Sequence, residues 1–182
     1  MGDEQDQLSK PGSPSKPGLP EKQERLARYE FRWAREEDWR GAVTMIWKSF
    51  MESEGKDYSR EGVKSFFEFI TDDDIYKAFL VGSYQMLLAL DGTRIIGAAT
   101  VRNRNRLSLL FVDGEYQRQG VGQTLVELFC GYLRDELGER ELVVKAAPPA
   151  VGFYQKLGFA VTDAQQDYAG IRVIPMERRL EK

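Results

Sequence analysis

The stretch that most constrains this chain runs from Leu107 to Gln123: Leu-Ser-Leu-Leu-Phe-Val-Asp-Gly-Glu-Tyr-Gln-Arg-Gln-Gly-Val-Gly-Gln. An apolar strand ends at Val112, a short polar turn follows, and an amphipathic run from Val121 to Leu137 has helical spacing. This order builds a phosphate site. The first N–H groups of a helix lack intrahelical partners and lie at the positive end of its dipole. Gly120 and Gly122 carry no Cβ and let a ligand approach the backbone. By itself the glycine pair is equally compatible with plain helix packing. Two nucleotide motifs are excluded. A P-loop needs Gly-Lys-Ser/Thr at the helix start, where this chain has Gly122-Gln123-Thr124. The dinucleotide fingerprint needs a glycine three residues after Gly122, where this chain has Leu125.

The rest of the composition narrows the chemistry. The chain has 182 residues, enough for one domain with a full core. It has no histidine, which removes imidazole bases and histidine metal sites. Its one cysteine, Cys130, allows no internal disulfide, argues with the missing histidines against a structural zinc site, and suggests a reducing compartment. Cys130 lies at helical spacing with Val126, Phe129 and Leu133, which reads as core. A net charge of −3 gives no electrostatic ground for nucleic-acid binding. No apolar run reaches the roughly 20 residues of a membrane span, and the polar, acidic N-terminus shows no secretory signal. The expectation is a cytoplasmic protein with no membrane partner and no metal, as monomer or homodimer.

Residues 1–26 hold Pro11, Pro14, Pro17 and Pro20 among Ser, Lys and Gly, and read as a disordered tail ahead of a domain at 27–182. Tyr29–Trp33 alternates like a strand. Arg35–Asp38 opens a helix carrying Trp39, Val43, Ile46, Trp47 and Phe50, and the tryptophans read as core. A polar loop spans 51–60, and a second helix Glu61–Ile70. Thr71–Asp74 reads either as a helix-ending loop or as the cap of a further turn. Strands follow at Tyr84–Leu90, Arg94–Arg102 and Arg106–Val112, the first two joined by the hairpin signal Asp91-Gly92. After the central helix come a strand Glu141–Ala146, a short helix Pro149–Leu157 stopped by Gly158, and strands at 159–162 and 171–177. That order predicts an α/β fold with a mixed sheet.

Gln117-x-x-Gly120-x-Gly122 resembles the Gln/Arg-x-x-Gly-x-Gly/Ala motif of the GNAT superfamily of N-acetyltransferases. Phe153-Tyr154-Gln155-Lys156-Leu157-Gly158-Phe159 is similar to the second signature of that superfamily. The resemblance covers roughly residues 29–179. It implies a mostly antiparallel central sheet flanked by helices, with a splayed strand pair at the acetyl-CoA site. It implies that Gln117, Arg118, Gln119, Gly120, Val121, Gly122 and Gln123 hold the pyrophosphate. It also implies that Leu110, Phe111 and Val112 pair with the pantetheine arm, with an N–H near Leu110 polarising the thioester carbonyl. Tyr154 would protonate the leaving thiolate. One departure is Ala147, where the family often has asparagine.

The expected activity is acetyl transfer from acetyl-CoA to a primary amine by direct attack in a ternary complex. A peptide or protein amine acceptor, and a non-catalytic CoA-binding module, are the alternatives. The resemblance puts the loop with Glu52, Glu54 and Asp57 at the acceptor site. Glu52, Tyr58 and Arg106 are candidate acceptor contacts. The acids there, with Asp72–Asp74, suggest a cationic amine. No base is assigned: the strand Arg106–Val112 has no carboxylate, and Asp113 and Glu115 read as a solvated turn.

Overall fold

The computed structural model describes residues 21–181. Most of the expected tail lies outside the described residues, but its last part, Glu21–Leu26, is a helix, α1, and Leu26 packs against the core. The strands are β1 (Glu30–Trp33), β2 (Tyr84–Asp91), β3 (Arg94–Arg102), β4 (Arg106–Val112), β5 (Glu141–Ala146), β6 (Ala160–Val161), β7 (Gln166–Tyr168) and β8 (Ile171–Arg179). The longer helices are α2 (Trp39–Ser53), α3 (Arg60–Ile70), α4 (Asp73–Leu80), α5 (Val121–Asp135) and α6 (Val151–Lys156). One sheet runs in the order β1-β2-β3-β4-β5-β8-β6, with β7 on β8. Every described pairing is antiparallel except β4 with β5.

The sheet is buried on both faces, which explains the nearly unbroken apolar runs of β2 and β3. Leu87, Ala89, Ile96 and Ala99 face α5 and join Leu125, Val126, Phe129 and Leu133. Met86, Leu88, Leu90 and Ala98 face α2 and α3 and join Ile46, Phe50, Phe66 and Ile70. Cys130 is in the first of these layers, and burial pushes its thiol up to about 11, so it is inert packing. Trp39 and Trp47 pack on the second layer, whereas Trp33 stays 42% exposed at the edge of α5, with its ring against Tyr132 and Phe129.

Two details position everything that follows. The first is a bulge in β4. Leu107 pairs with Val101 and Leu109 with Thr100, so Ser108 is an extra residue that bends the strand. The pairing of β4 with β5 consists of Arg106↔Val143 and Leu107↔Val144 and ends there. Beyond the bulge the two strands part, and Leu110–Val112 has β3 on one edge and no strand on the other. The second is Gly97. A Cβ there would lie 2.9 Å from Val121 Cγ1 and 3.2 Å from Leu125 Cδ1. The glycine lets the first turn of α5 settle onto β3, beside the end of β4.

Some boundaries differ from the sequence reading. Helix α2 starts after a single 3-10 turn, Glu36–Asp38. There Asp38 accepts from Arg32 at 2.7 Å and from the Arg35 N–H at 2.7 Å. The helix runs on to Ser53, into the expected loop, because Ser53 Oγ donates to the Ser49 carbonyl and Glu54 N–H to the Phe50 carbonyl. Asp72 is the N-cap of α4, accepting from the Asp74 and Ile75 N–H groups, so the cap alternative holds for 71–74. The β7–β8 hairpin is new. Its turn, Ala169-Gly170, has φ of 50° and 81°, and alanine at the first of these positions hides the usual signal. Among the described residues no helix is long and apolar enough to cross a membrane.

Candidate active site

Where β4 and β5 part, the sheet opens into a cavity of about 1010 Å³. Its walls come from three places: the edge of β4, the turn into α5 with α6 opposite, and the loop after α2 with the β7–β8 hairpin.

The turn into α5 is assembled by hydrogen bonds rather than by a capping side chain. Arg118 and Gly120 sit at φ 58° and 92°, and Gly120, the N-cap, supplies no side-chain acceptor. No capping side chain therefore covers the start of α5, which carries the positive end of the helix dipole. A Cβ at Gly122 would touch Val112 Cγ2 at 3.5 Å and the Phe153 ring at 3.6 Å, ordinary contacts that leave the approach narrow but open. Gln117 Nε2 donates to the Val112 carbonyl at 3.1 Å and so ties the turn to the strand edge. Gln119 accepts from the Tyr29 hydroxyl at 2.9 Å and donates to the Glu115 carbonyl at 3.0 Å. Its side chain braces the turn and is not among the cavity-lining groups.

Asp113 is not the solvated turn residue the sequence suggested. It is 5% exposed and accepts from Arg94 at 3.0 Å and from the Glu115 N–H at 3.2 Å, with Lys48 at 3.8 Å. Burial would raise its carboxyl, but Arg94, that N–H and Lys48 outweigh burial and hold it below the usual range. It anchors the turn from beneath and is no free base. Glu115 is bound to Arg94 as well.

On the opposite wall, α6 presents Tyr154, whose ring packs edge-on against Phe153 and Phe159 at 5.1 and 5.2 Å. The residue is 6% exposed and lines the cavity, and its hydroxyl has no hydrogen-bond partner among the described residues. Burial first, and the Glu54 carboxylate second, hold its phenol well above the ordinary value, so it keeps its proton. Ala147 lines the cavity next to Pro148 and Pro149.

The third wall carries Glu54, Asp57 and Tyr58 from the loop after α2, with Gln165 and Arg172 from β8 and the segment before β7. Tyr58 donates to Glu54 at 3.3 Å. Burial raises the Glu54 carboxyl above its ordinary value, against the pull of the Tyr58 hydrogen bond. Tyr58 is pushed up to about 12 by burial and then by the Glu54 charge, while Arg172 pulls the other way. Sequence reasoning named Glu54 only as one acid in a loop. The signal it lacked was the last turn of α2, which makes Glu54 the C-cap and turns it inward.

Of the residues singled out from the sequence, Leu110, Phe111, Val112, Gln117, Arg118, Gly120, Val121, Gly122, Gln123, Tyr58 and Tyr154 share this cavity. Glu52 and Arg106 do not. Glu52 lies 3.9 Å from Lys48, because the two residues of helix between its position and that of Glu54 rotate it to the other side of α2. Arg106 sits at the paired end of β4, opposite Val143, before the strands part. The described residues contain no group of three or more His, Cys, Asp or Glu side chains able to hold a metal ion.

The fold recurs in known structures. A GCN5-related N-acetyltransferase from Rhodopseudomonas palustris is 23% identical, with a TM-score of 0.71 over 83% of this chain and 95% of that chain. The PaiA N-acetyltransferase from Thermoplasma acidophilum, solved in complex with coenzyme A, is 20% identical, with a TM-score of 0.70 over 83% and 98%. A spermidine N-acetyltransferase chimera from Vibrio cholerae is 16% identical, with a TM-score of 0.61 over 84% and 96%. No curated protein matches the chain in sequence. The sequence model of the family described as the acetyltransferase (GNAT) domain matches residues 54–180, the span that builds the parted strands, the helix start and all three cavity walls, and the chain belongs to that family.

Proposed function

We propose that this chain transfers an acetyl group from acetyl-CoA to a primary amine by direct attack in a ternary complex, with residues 27–182 as the transferase domain. The observation that carries this is the unpaired edge of β4 at Leu110–Val112, beside the uncapped start of α5 and across one cavity from Tyr154. An arm bearing amide groups can pair with a free strand edge as an added strand does. A pyrophosphate suits a helix start. Acetyl-CoA carries both, and its thioester supplies the activated acetyl group. The similar Thermoplasma acidophilum fold was solved with coenzyme A, and a spermidine N-acetyltransferase shares that fold, which supports the donor and an amine acceptor.

The residues divide the work. An ammonium with a pKa of about 10 must lose a proton before its nitrogen can attack. Glu54 accepts that proton, directly or through one water, and its burial makes it a stronger base than an exposed carboxylate. A strand N–H near Leu110 polarises the acyl oxygen. As the C–N bond forms and the C–S bond breaks, Tyr154 gives its proton to the departing sulfur, and the second proton shed by the acylated nitrogen returns through water to the phenolate. The burial that keeps the Tyr154 proton also makes a thiolate beside it more basic, so the transfer is matched. Positioning and polarisation supply most of the rate.

The test is thiol release from acetyl-CoA across a panel of small amines and peptides, beside a calorimetric titration with CoA. CoA binding with thiol release from a small amine is expected. Release with peptides alone would move the acceptor to protein amines. Binding with no release from any acceptor would leave a CoA-binding module and overturn the transferase reading.

A further inference from the structure

The acceptor end of the cavity carries both signs of charge, two carboxylates and one guanidinium. Of the acids expected there, Glu52 turns toward Lys48, Asp72 caps α4, and Asp74 pairs with Lys77 at 3.0 Å. Only Glu54 and Asp57 line the cavity. Arg172 faces them from β8. Its guanidinium makes no hydrogen bond or ion pair among the described residues, although its charge is felt at the Tyr58 hydroxyl. The other cations of the cavity, Arg118 and Lys156, stand on the α5 turn and on α6, the elements of the donor end.

Arg172 is not on a loose strand. The β7–β8 turn docks on the first turn of α3, backbone against backbone. A Cβ at Gly62 would lie 2.6 Å from the Gly170 carbonyl oxygen, and one at Gly170 would lie 2.9 Å from the Gly62 nitrogen. Ser65 Oγ donates to the Ala169 carbonyl at 3.3 Å. Tyr58 stands four residues before Gly62 and Arg172 two residues after Gly170, so this contact fixes the one opposite the other. The result is a carboxylate, a phenol and a guanidinium held in series across the acceptor mouth.

A guanidinium without a protein partner repels a polyamine and attracts a carboxylate, which it grips with two parallel N–H donors. We propose that the acceptor is an amino carboxylate, a small molecule carrying both a primary amine and a carboxylate, with Arg172 holding the carboxylate and Glu54 receiving the amine. This rests on the acetyl-transfer reading of the same site.

The experiment compares free amino acids with their carboxamides and with spermidine, reading thiol release from acetyl-CoA, in the native protein and in Arg172→Gln. A charge-assisted pair of this kind predicts kcat/KM about 10-fold or more higher for the best amino acid than for its carboxamide. Arg172→Gln should erase that gap by raising KM for the amino acid, with kcat, the carboxamide and CoA affinity nearly unchanged. Arg172→Lys should restore part of it. Spermidine outperforming every amino acid, carboxamides equalling the acids, or an Arg172→Gln variant that lowers both alike would each overturn the proposal while leaving acetyl transfer standing. Failure of every acceptor despite CoA binding would bring down the transfer reading, and this one with it.

Discussion

The two ends of the cavity are built on different plans. At the donor end each backbone bend is tied to the sheet. Asp113 with Arg94 and Lys48 anchors the turn, Gln117 ties it to Val112, Gln119 links it to Tyr29 and Glu115, and Gly97 seats the helix. At the acceptor end a loop and a hairpin reach toward each other and meet at Gly62 and Gly170. A site that binds the same donor in every member of a family gains from preorganisation. A site that selects among amines gains from elements whose sequence can change without disturbing the sheet. The contrast predicts that damage at the two ends separates cleanly: donor-end changes move CoA affinity, and acceptor-end changes move the second substrate.

The largest expected effect lies between the ends. Tyr154→Phe should lower kcat by about 10²-fold or more while CoA affinity stays nearly intact, since only the leaving-group proton is lost. Unchanged turnover would remove Tyr154 from that role. Next, Gly120→Val forces a β-branched residue to φ 92° and should weaken CoA binding by about 10-fold or more with the domain still folded, as read by titration and circular dichroism. A variant that binds CoA normally would break the donor half of the comparison. Gly62→Ala puts a methyl 2.6 Å from a backbone oxygen and should push the hairpin outward. The acceptor KM should rise by about 10-fold with CoA affinity unchanged. Equal loss of both affinities would mean that the ends are not separable.

The smallest expected effect concerns stability. The folded-state pKa of Glu54 is raised by burial, so the folded protein binds that proton more tightly than the unfolded chain. Its favourable contribution is full below the ordinary carboxylate pKa and is lost as pH rises through the raised value. At neutral pH the buried charge is a cost, and Glu54→Gln should raise Tm slightly while cutting turnover. A lower Tm at neutral pH would show that the carboxylate is structural.

The strand–turn–helix at Leu107–Gln123 was legible because backbone chemistry wrote it: a run of apolar residues, then a glycine, Gly120, where φ is positive, then a 3.6-residue period. Tyr154 was legible through its motif. The acceptor end was not, because its geometry depends on two events that leave no local mark. One is the extra turn of α2, which decides that Glu54 and not Glu52 faces inward. The other is the contact of Gly62 with Gly170, residues 108 positions apart, which places Arg172. Ala169 in a left-handed conformation concealed the hairpin that makes this contact. Asp113 was misjudged for a related reason: its partners Arg94 and Lys48 come from another strand and another helix.

The bulge at Ser108 has a mechanical consequence. Strands β1–β4 and β5–β8 form two half-sheets stitched by the two register pairs at Arg106 and Leu107. A donor lying along β4, as proposed, would replace the missing stitches and become a cross-brace of the fold. Donor occupancy should then slow amide exchange across both half-sheets, far from any atom the donor touches, while an acceptor alone should leave that exchange as it was.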